Sequence, residues 1–207
     1  MKLIVYLIAV LGLSVALPSP QSPWNKVKGK NIYIEPKFNH TTDKYGNARI
    51  IGSYEVDPHS RPYQAALIIN GESFCSGSLI SPNYILTAAH CTFSASYVEI
   101  ILGAHRVTIQ EPSQLRVTST SIVTHEDYMK PDKHDNDISL IKTPNYIVTN
   151  NYIQIVRLTG TASGEYAGYL ANLSGWGTTS DSNSTLSPVL RDADLVILKK
   201  HVVFGFL

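Results

Sequence analysis

From residue 65 to residue 142 the chain alternates short apolar, β-branched runs with clusters of Gly, Pro, Asn and Ser. The runs are "AALIIN" (65–70), "SLISPNYILTAAHC" (78–91), "YVEIILGAH" (97–105), "LRVTSTSIVTH" (115–125) and "DISLIK" (137–142). Runs of this length, parted by turn residues at this spacing, predict an all-β sandwich or barrel. No segment before residue 185 carries its apolar positions at a helical period, and no internal repeat is present.

The first 49 residues break that pattern. Lys2 is followed by an apolar run from Leu3 to Leu13, too short to span a bilayer, and then by the small residues Ser14, Val15 and Ala16. Residues 1–16 therefore read as a secretory signal peptide, which places the product outside the cell and leaves those sixteen residues out of the expected fold. No later segment is apolar enough for a membrane anchor. Residues 17–49 hold Pro18, Pro20, Pro23 and Pro36 with six basic residues, a composition that resists packing into a core. From Ile50 onward ten Lys and Arg face fourteen acidic residues, so the near-neutral total hides a basic leader on an acidic body. Neither charge is strong enough to argue for a nucleic-acid partner.

Chemistry enters with "YILTAAHC", which presses His90 against Cys91 at the end of an apolar run. The cysteine count is two, Cys75 and Cys91, and in a secreted chain an even count suggests a bridge. Such a bridge would fix the backbone that carries His90; a pair of buried free thiols is the alternative. Further upstream, Arg49 stands before Ile50-Ile51-Gly52, where cleavage would create a new amino terminus.

The ordered blocks "RIIGS", "SRPYQAAL", "FCSGSLISPNYILTAAHC", "VEIILGAH", "DNDISLIK" and "LSGWGTTS", from Arg49 to about Ser180, resemble the chymotrypsin-like (trypsin-family) serine proteases, above all insect and crustacean digestive or collagenolytic members. The resemblance implies two antiparallel β-barrels with the active site between them, the second barrel incomplete here: the first over about 50–150, the second over about 151–207. It implies that His90 is the general base, that Asp137 orients it, that Cys75 and Cys91 form the disulfide beside it, and that Arg49–Ile50 is the zymogen activation bond, with residues 17–49 as activation peptide. Asp132 and Asp135 are rivals to Asp137 but sit in the polar segment "KPDKHDN". His125 and His134 match no zinc spacing, and "RVTIQEPSQLRV" offers Glu111 alone toward a calcium loop, so neither metal nor cofactor is expected. The implied partners are a protein or peptide substrate and an activating protease, for a monomer without nucleic-acid or membrane contacts. Three sequons, at Asn39, Asn172 and Asn183, offer glycosylation acceptors; the first and third read as accessible loops, the second as a buried strand.

One expected block is missing. The family places its nucleophilic serine after the aspartate, in a "GDSGG" stretch that also builds the oxyanion hole, and these 207 residues contain no such stretch. Ser180, Ser182, Ser184 and Ser187 have no glycine-framed context. The reading that follows is a secreted serine endopeptidase present here in shortened form and inactive as written. The alternatives are a non-catalytic homologue acting as a secreted binding or decoy protein, and a product that never folds. A partial second barrel leaves open strand edges, which the apolar tail "VVFGFL" could fill or aggravate.

Overall fold

The computed structural model describes residues 14–16, 53–132, 135–158, 166–180 and 183–197. Its larger sheet holds β3 (Gln64–Ile69), β4 (Ser73–Ser81), β5 (Tyr84–Thr87), β6 (Val98–Leu102), β7 (Leu115–Ser119), β8 (Ser121–Thr124) and β9 (Ser139–Lys142), in the antiparallel order β7-β6-β3-β4-β5-β9-β8. Its two outer strands, β7 and β8, are the halves of one segment bent at Thr120. Ser119 lies opposite Val98 of β6 and Ser121 opposite Lys142 of β9, so the bend closes the sheet on itself. The Ser119 hydroxyl secures the corner: it donates to the Lys142 carbonyl at 2.6 Å and accepts the Ser121 N–H at 3.0 Å.

Strand alternation fills this barrel. Ala65, Leu67 and Ile69 of β3 meet Val98, Ile100 and Leu102 of β6, together with Leu79, Ile85 and Ile141, all buried. Two glycines permit the close approaches. A Cβ on Gly77 would lie 2.7 Å from the Leu86 carbonyl of the adjoining strand, and Gly103, at φ +70°, faces the Ser113 carbonyl. The run read at 78–91 is interrupted: Pro82 and Asn83 turn the chain between β4 and β5, and residues 89–92 form one helical turn instead of strand.

The barrel draws on chain beyond residue 150. The segment 146–156, turned at Asn150, buries Ile147 and Ile153 in its core, and bonds Ile147 N–H to the Pro82 carbonyl, Gln154 N–H to Pro62 and Val156 N–H to Leu79.

A second antiparallel sheet contains β1 (Ser14–Ala16), β2 (Tyr54–Glu55), β10 (Leu170–Gly175) and β13 (Arg191–Val196), in the order β1-β10-β13-β2. The last three residues of the stretch read as signal peptide and excluded from the fold are thus paired with β10, Val15 opposite Leu173, because their backbone supplies the ladder that the β10 edge lacks. A hairpin, β11 (Thr178–Ser180) with β12 (Asn183–Leu186), stands beside it. Asn183 thus lies in a strand and not in the loop its polar neighbours suggested, while Asn172 lies in β10 as read but is only half-buried there, its amide reaching Asp194 at the surface and not the core. The two sheets meet because β3 and β6 are apolar on both faces. Ala66 and Ile101 look out of the barrel and, with Val56 and Ala104, pack on Trp176 and Leu190. The sheet's own apolar cluster is small, Leu173 and Ala193 with Leu195. Among the described residues no helix is long and apolar enough to cross a membrane.

Candidate active site

β5 and β9 are neighbours in the barrel, with Thr87 opposite Ser139. Each continues into a short irregular segment carrying one ionisable side chain, so the pairing itself brings the two together. After Thr87, Ala88 and Ala89 are fully buried, and the helical turn Ala89–Thr92 begins. Ala88 and Cys91 pack against Cys75 and Ile138. Cys75 and Cys91 are joined, with Cα atoms 6.3 Å apart. Thr92 donates from Oγ1 to Ser139 Oγ at 2.7 Å, tying the turn to β9.

On the other side the chain approaches β9 through Asn136, whose φ of +55° is one that asparagine tolerates better than most residues. Its amide holds that conformation by donating to the carbonyls of Asp127 and Lys130, each at 2.9 Å. Asp137 then points back at the helical turn. Its Oδ2 lies 2.7 Å from His90 Nδ1, and its Oδ1 accepts the His90 backbone N–H at 2.7 Å. Asp137 is 8% exposed and the imidazole 41%. An ionised carboxylate can only accept, so the proton of a neutral imidazole sits on Nδ1 and the Nε2 lone pair faces outward. That is the tautomer a general base needs.

The structure therefore brings His90 together with Asp137, flanked by the Cys75–Cys91 bridge. Asp132 and Asp135 instead help shape the turn before them, where the Asp135 N–H bonds the Asp132 carbonyl and the Met129 N–H bonds that of Asp135. His125 accepts the Asp127 N–H on its Nδ1, and His134 lies outside the described residues. Beside the pair, Tyr128 stacks edge-on with exposed Phe93, ring centroids 5.4 Å apart; partial burial, then the charge of Asp137, raises the Tyr128 phenol above its usual range.

Among the described residues, the grouping of three metal-type donors is Cys75, His90 and Cys91, and its two sulfurs are already bonded to each other. Glu111 serves a turn: its Oε2 accepts the N–H groups of His105 and Arg106 at 2.7 and 3.0 Å. Gln114 fills the same turn, donating to the carbonyls of Arg106 and Ile109 at 2.7 and 3.0 Å. Partial burial alone would raise the Glu111 carboxyl, but the backbone donors outweigh it and hold the group below its ordinary 4.5.

Arg49, Ile50 and residues 17–49 lie outside the described residues. Ser53 and Ser76 replace glycines common in the resembled family; Ser76 lies within β4 and is not among the described residues with positive φ, so it does not strain its backbone there. Sequence reasoning missed the partners of Ser53 and of Asp192. Arg191 binds Ser53, and the fully buried Asp192 pairs with Arg61 while accepting from Ser174 Oγ at 2.7 Å. The available signal was the unusual run Arg191-Asp192-Ala193-Asp194 within a strand.

The family model described as Trypsin matches residues 50–205. The chain belongs to the trypsin family of chymotrypsin-like serine proteases. Among relatives of this trypsin-family chain, brachyurin from Leptuca pugilator is 42% identical over 149 residues, which cover 72% of this chain and 65% of the relative. Chymotrypsin from Phaedon cochleariae is 36% identical over 208 residues, covering 97% of this chain and 73% of that one. A solved structure described as "Structure of GrC" superposes with a TM-score of 0.67 at 30% identity, over 74% of this chain and 67% of the other. The trypsin-family chain thus spans 65% of the length of brachyurin.

Proposed function

We propose that these residues belong to a secreted serine-type endopeptidase made as a zymogen and cleaved after Arg49. The observation that carries this reading is the doubly bonded pair, with Asp137 holding both the ring and the backbone of His90. In it, Nε2 of His90 takes the proton of a serine nucleophile, and Asp137 fixes the tautomer and stabilises the imidazolium that forms. The family match, beginning at residue 50, supports an activation bond between Arg49 and Ile50. The substrate is a protein or peptide, the activating partner another protease, and the working form a monomer.

The 207 residues hold no glycine-framed serine that could complete the pair. Loss of the nucleophile alone costs on the order of 10⁶ in turnover in proteases of this chemistry. This chain by itself is therefore expected to hydrolyse no peptide or ester substrate and to take no label from a fluorophosphonate probe. Turnover by the purified chain, abolished by His90→Ala, would overturn that expectation. The endopeptidase reading itself is tested by sequencing the 3′ end of the transcript beyond the codon for Asp194. A form that continues into a glycine-framed "GDSGG" segment gives His90 its nucleophile. A message that ends at Leu207 in every form removes the catalytic reading and leaves a non-catalytic homologue.

A further inference from the structure

We propose that His59 and His105 form a binding site for a divalent metal ion of the zinc, copper or nickel type, each giving its Nδ1 atom, with Glu55 orienting His105 from behind. His105 is 4% exposed, and its Nε2 lies 2.9 Å from Glu55 Oε1. An ionised carboxylate can only accept, so Nε2 carries the ring proton and Nδ1 presents a lone pair. That Nδ1 is buried with no hydrogen-bond partner among the described residues, and so is Nδ1 of His59. The two rings are neighbours, with centroids 6.4 Å apart. Two neighbouring rings with buried, unsatisfied nitrogens are a feature that folds seldom keep without a bound species.

The arrangement around His105 is that of a metal-binding histidine, which as a rule donates its other ring N–H to a carboxylate and so fixes its tautomer. Imidazole donors suit zinc, copper and nickel. Nitrogen-to-metal bonds of about 2.0–2.1 Å place two ring centres roughly 5–6 Å apart across one ion, slightly inside the spacing seen. His59 can make up that difference, because it is only partly buried and its ring rests edge-on against exposed Tyr152, centroids 4.8 Å apart. Solvent completes the shell, since two protein donors fill half of a tetrahedral site. The ion would act on the junction of the fold. Glu55 belongs to β2 of the second sheet, and the His105 carbonyl receives both Trp176 Nε1–H and Leu190 N–H. An ion held on His105 therefore strengthens the join between barrel and second sheet.

The test is zinc binding to the purified full chain, free of any affinity tag, read by isothermal titration and by the shift of its thermal unfolding. Wild type should take up one ion and unfold at a higher temperature with zinc than without. His59→Asn should abolish both effects, and asparagine tolerates the φ of +61° at this position, so the variant keeps the backbone. Glu55→Gln, a change at a half-exposed side chain, should weaken zinc binding about tenfold. ¹⁵N NMR should show zinc on Nδ1 of His105 with Nε2–H retained. Zinc affinity unchanged in His59→Asn would overturn the site. Binding lost in His90→Ala but kept in His59→Asn would overturn it as well, by moving the ion to the candidate active site. No binding by wild type would also overturn it, and would leave a water molecule as the partner of the two rings.

Discussion

The two oxygens of Asp137 have separate duties, and that makes the His90 tautomer predictable at the scale of single atoms. Oδ1 must accept, because its partner is a backbone N–H. In Asp137→Asn the amide oxygen takes that place and the NH₂ group faces Nδ1 of the ring. Nδ1 must then accept, so the ring proton moves to Nε2 and the outward lone pair is lost. ¹⁵N NMR of the His90 side chain should show the Nδ1–H form in wild type and the Nε2–H form in the variant, with a stability loss of about 2 kcal/mol from the weakened charge-assisted bonds. Glu111 gives a second atomic-scale prediction, in pH. Its folded-state pKa is depressed, so its contribution is present above the unfolded value and lost as pH falls through the lower, folded one. Thermal unfolding of Glu111→Gln should therefore lose less stability than wild type on acidification below about pH 4.5, while starting lower at neutral pH.

At the scale of elements, the helical turn that carries His90 is too short to be stable by itself and is held by what it touches. The Cys75–Cys91 bridge ties it to β4 and closes a loop of sixteen positions. The double variant Cys75→Ser, Cys91→Ser should lose about 3 kcal/mol in urea denaturation, with faster amide exchange through residues 88–92 than in β3 or β6. Much of this level was legible in the sequence. Runs 65–70, 97–105 and 137–142 became β3, β6 and β9 because β-branched stretches between turn residues have few other ways to bury themselves. The partner of His90 was legible through the blocks around it, since the resemblance singled out Asp137 where proximity in sequence offered Asp132 and Asp135 equally. What escaped was decided by distant chain. Ser53 and Arg191 are 138 positions apart and Arg61 and Asp192 131, and no local pattern announces such a contact. The bend at Thr120 escaped for another reason: a kinked strand and a straight one carry the same apolar alternation, and the difference lies in which neighbours each half pairs with.

At the scale of the whole molecule the two sheets are unequal partners. Among the described residues the barrel encloses eleven buried apolar residues, whereas the second sheet's own cluster is Leu173 and Ala193 with Leu195, and Tyr169, Leu170 and Val196 are exposed at one end of β10 and β13. So small a cluster cannot offset the entropy of ordering these strands, and the sheet depends on its junction with the barrel. Trp176 is the largest side chain fully buried there, and its indole N–H donates to the His105 carbonyl at 2.9 Å. That carbonyl also accepts the Leu190 N–H at 2.9 Å, so Trp176→Phe leaves it satisfied and should cost only about 1 kcal/mol. Trp176→Ala opens a cavity against Ala66, Ile101 and Leu190 and should cost about 3–5 kcal/mol. The location of the loss is the sharper test. Native-state hydrogen exchange of Trp176→Ala should show protection falling in β10 and β13 while β3, β5 and β9 keep theirs, because the barrel closes on itself without the second sheet. Equal loss in all five strands would mean that barrel and sheet unfold as one unit, and that the His90–Asp137 pair is no more stable than the edge at Leu170.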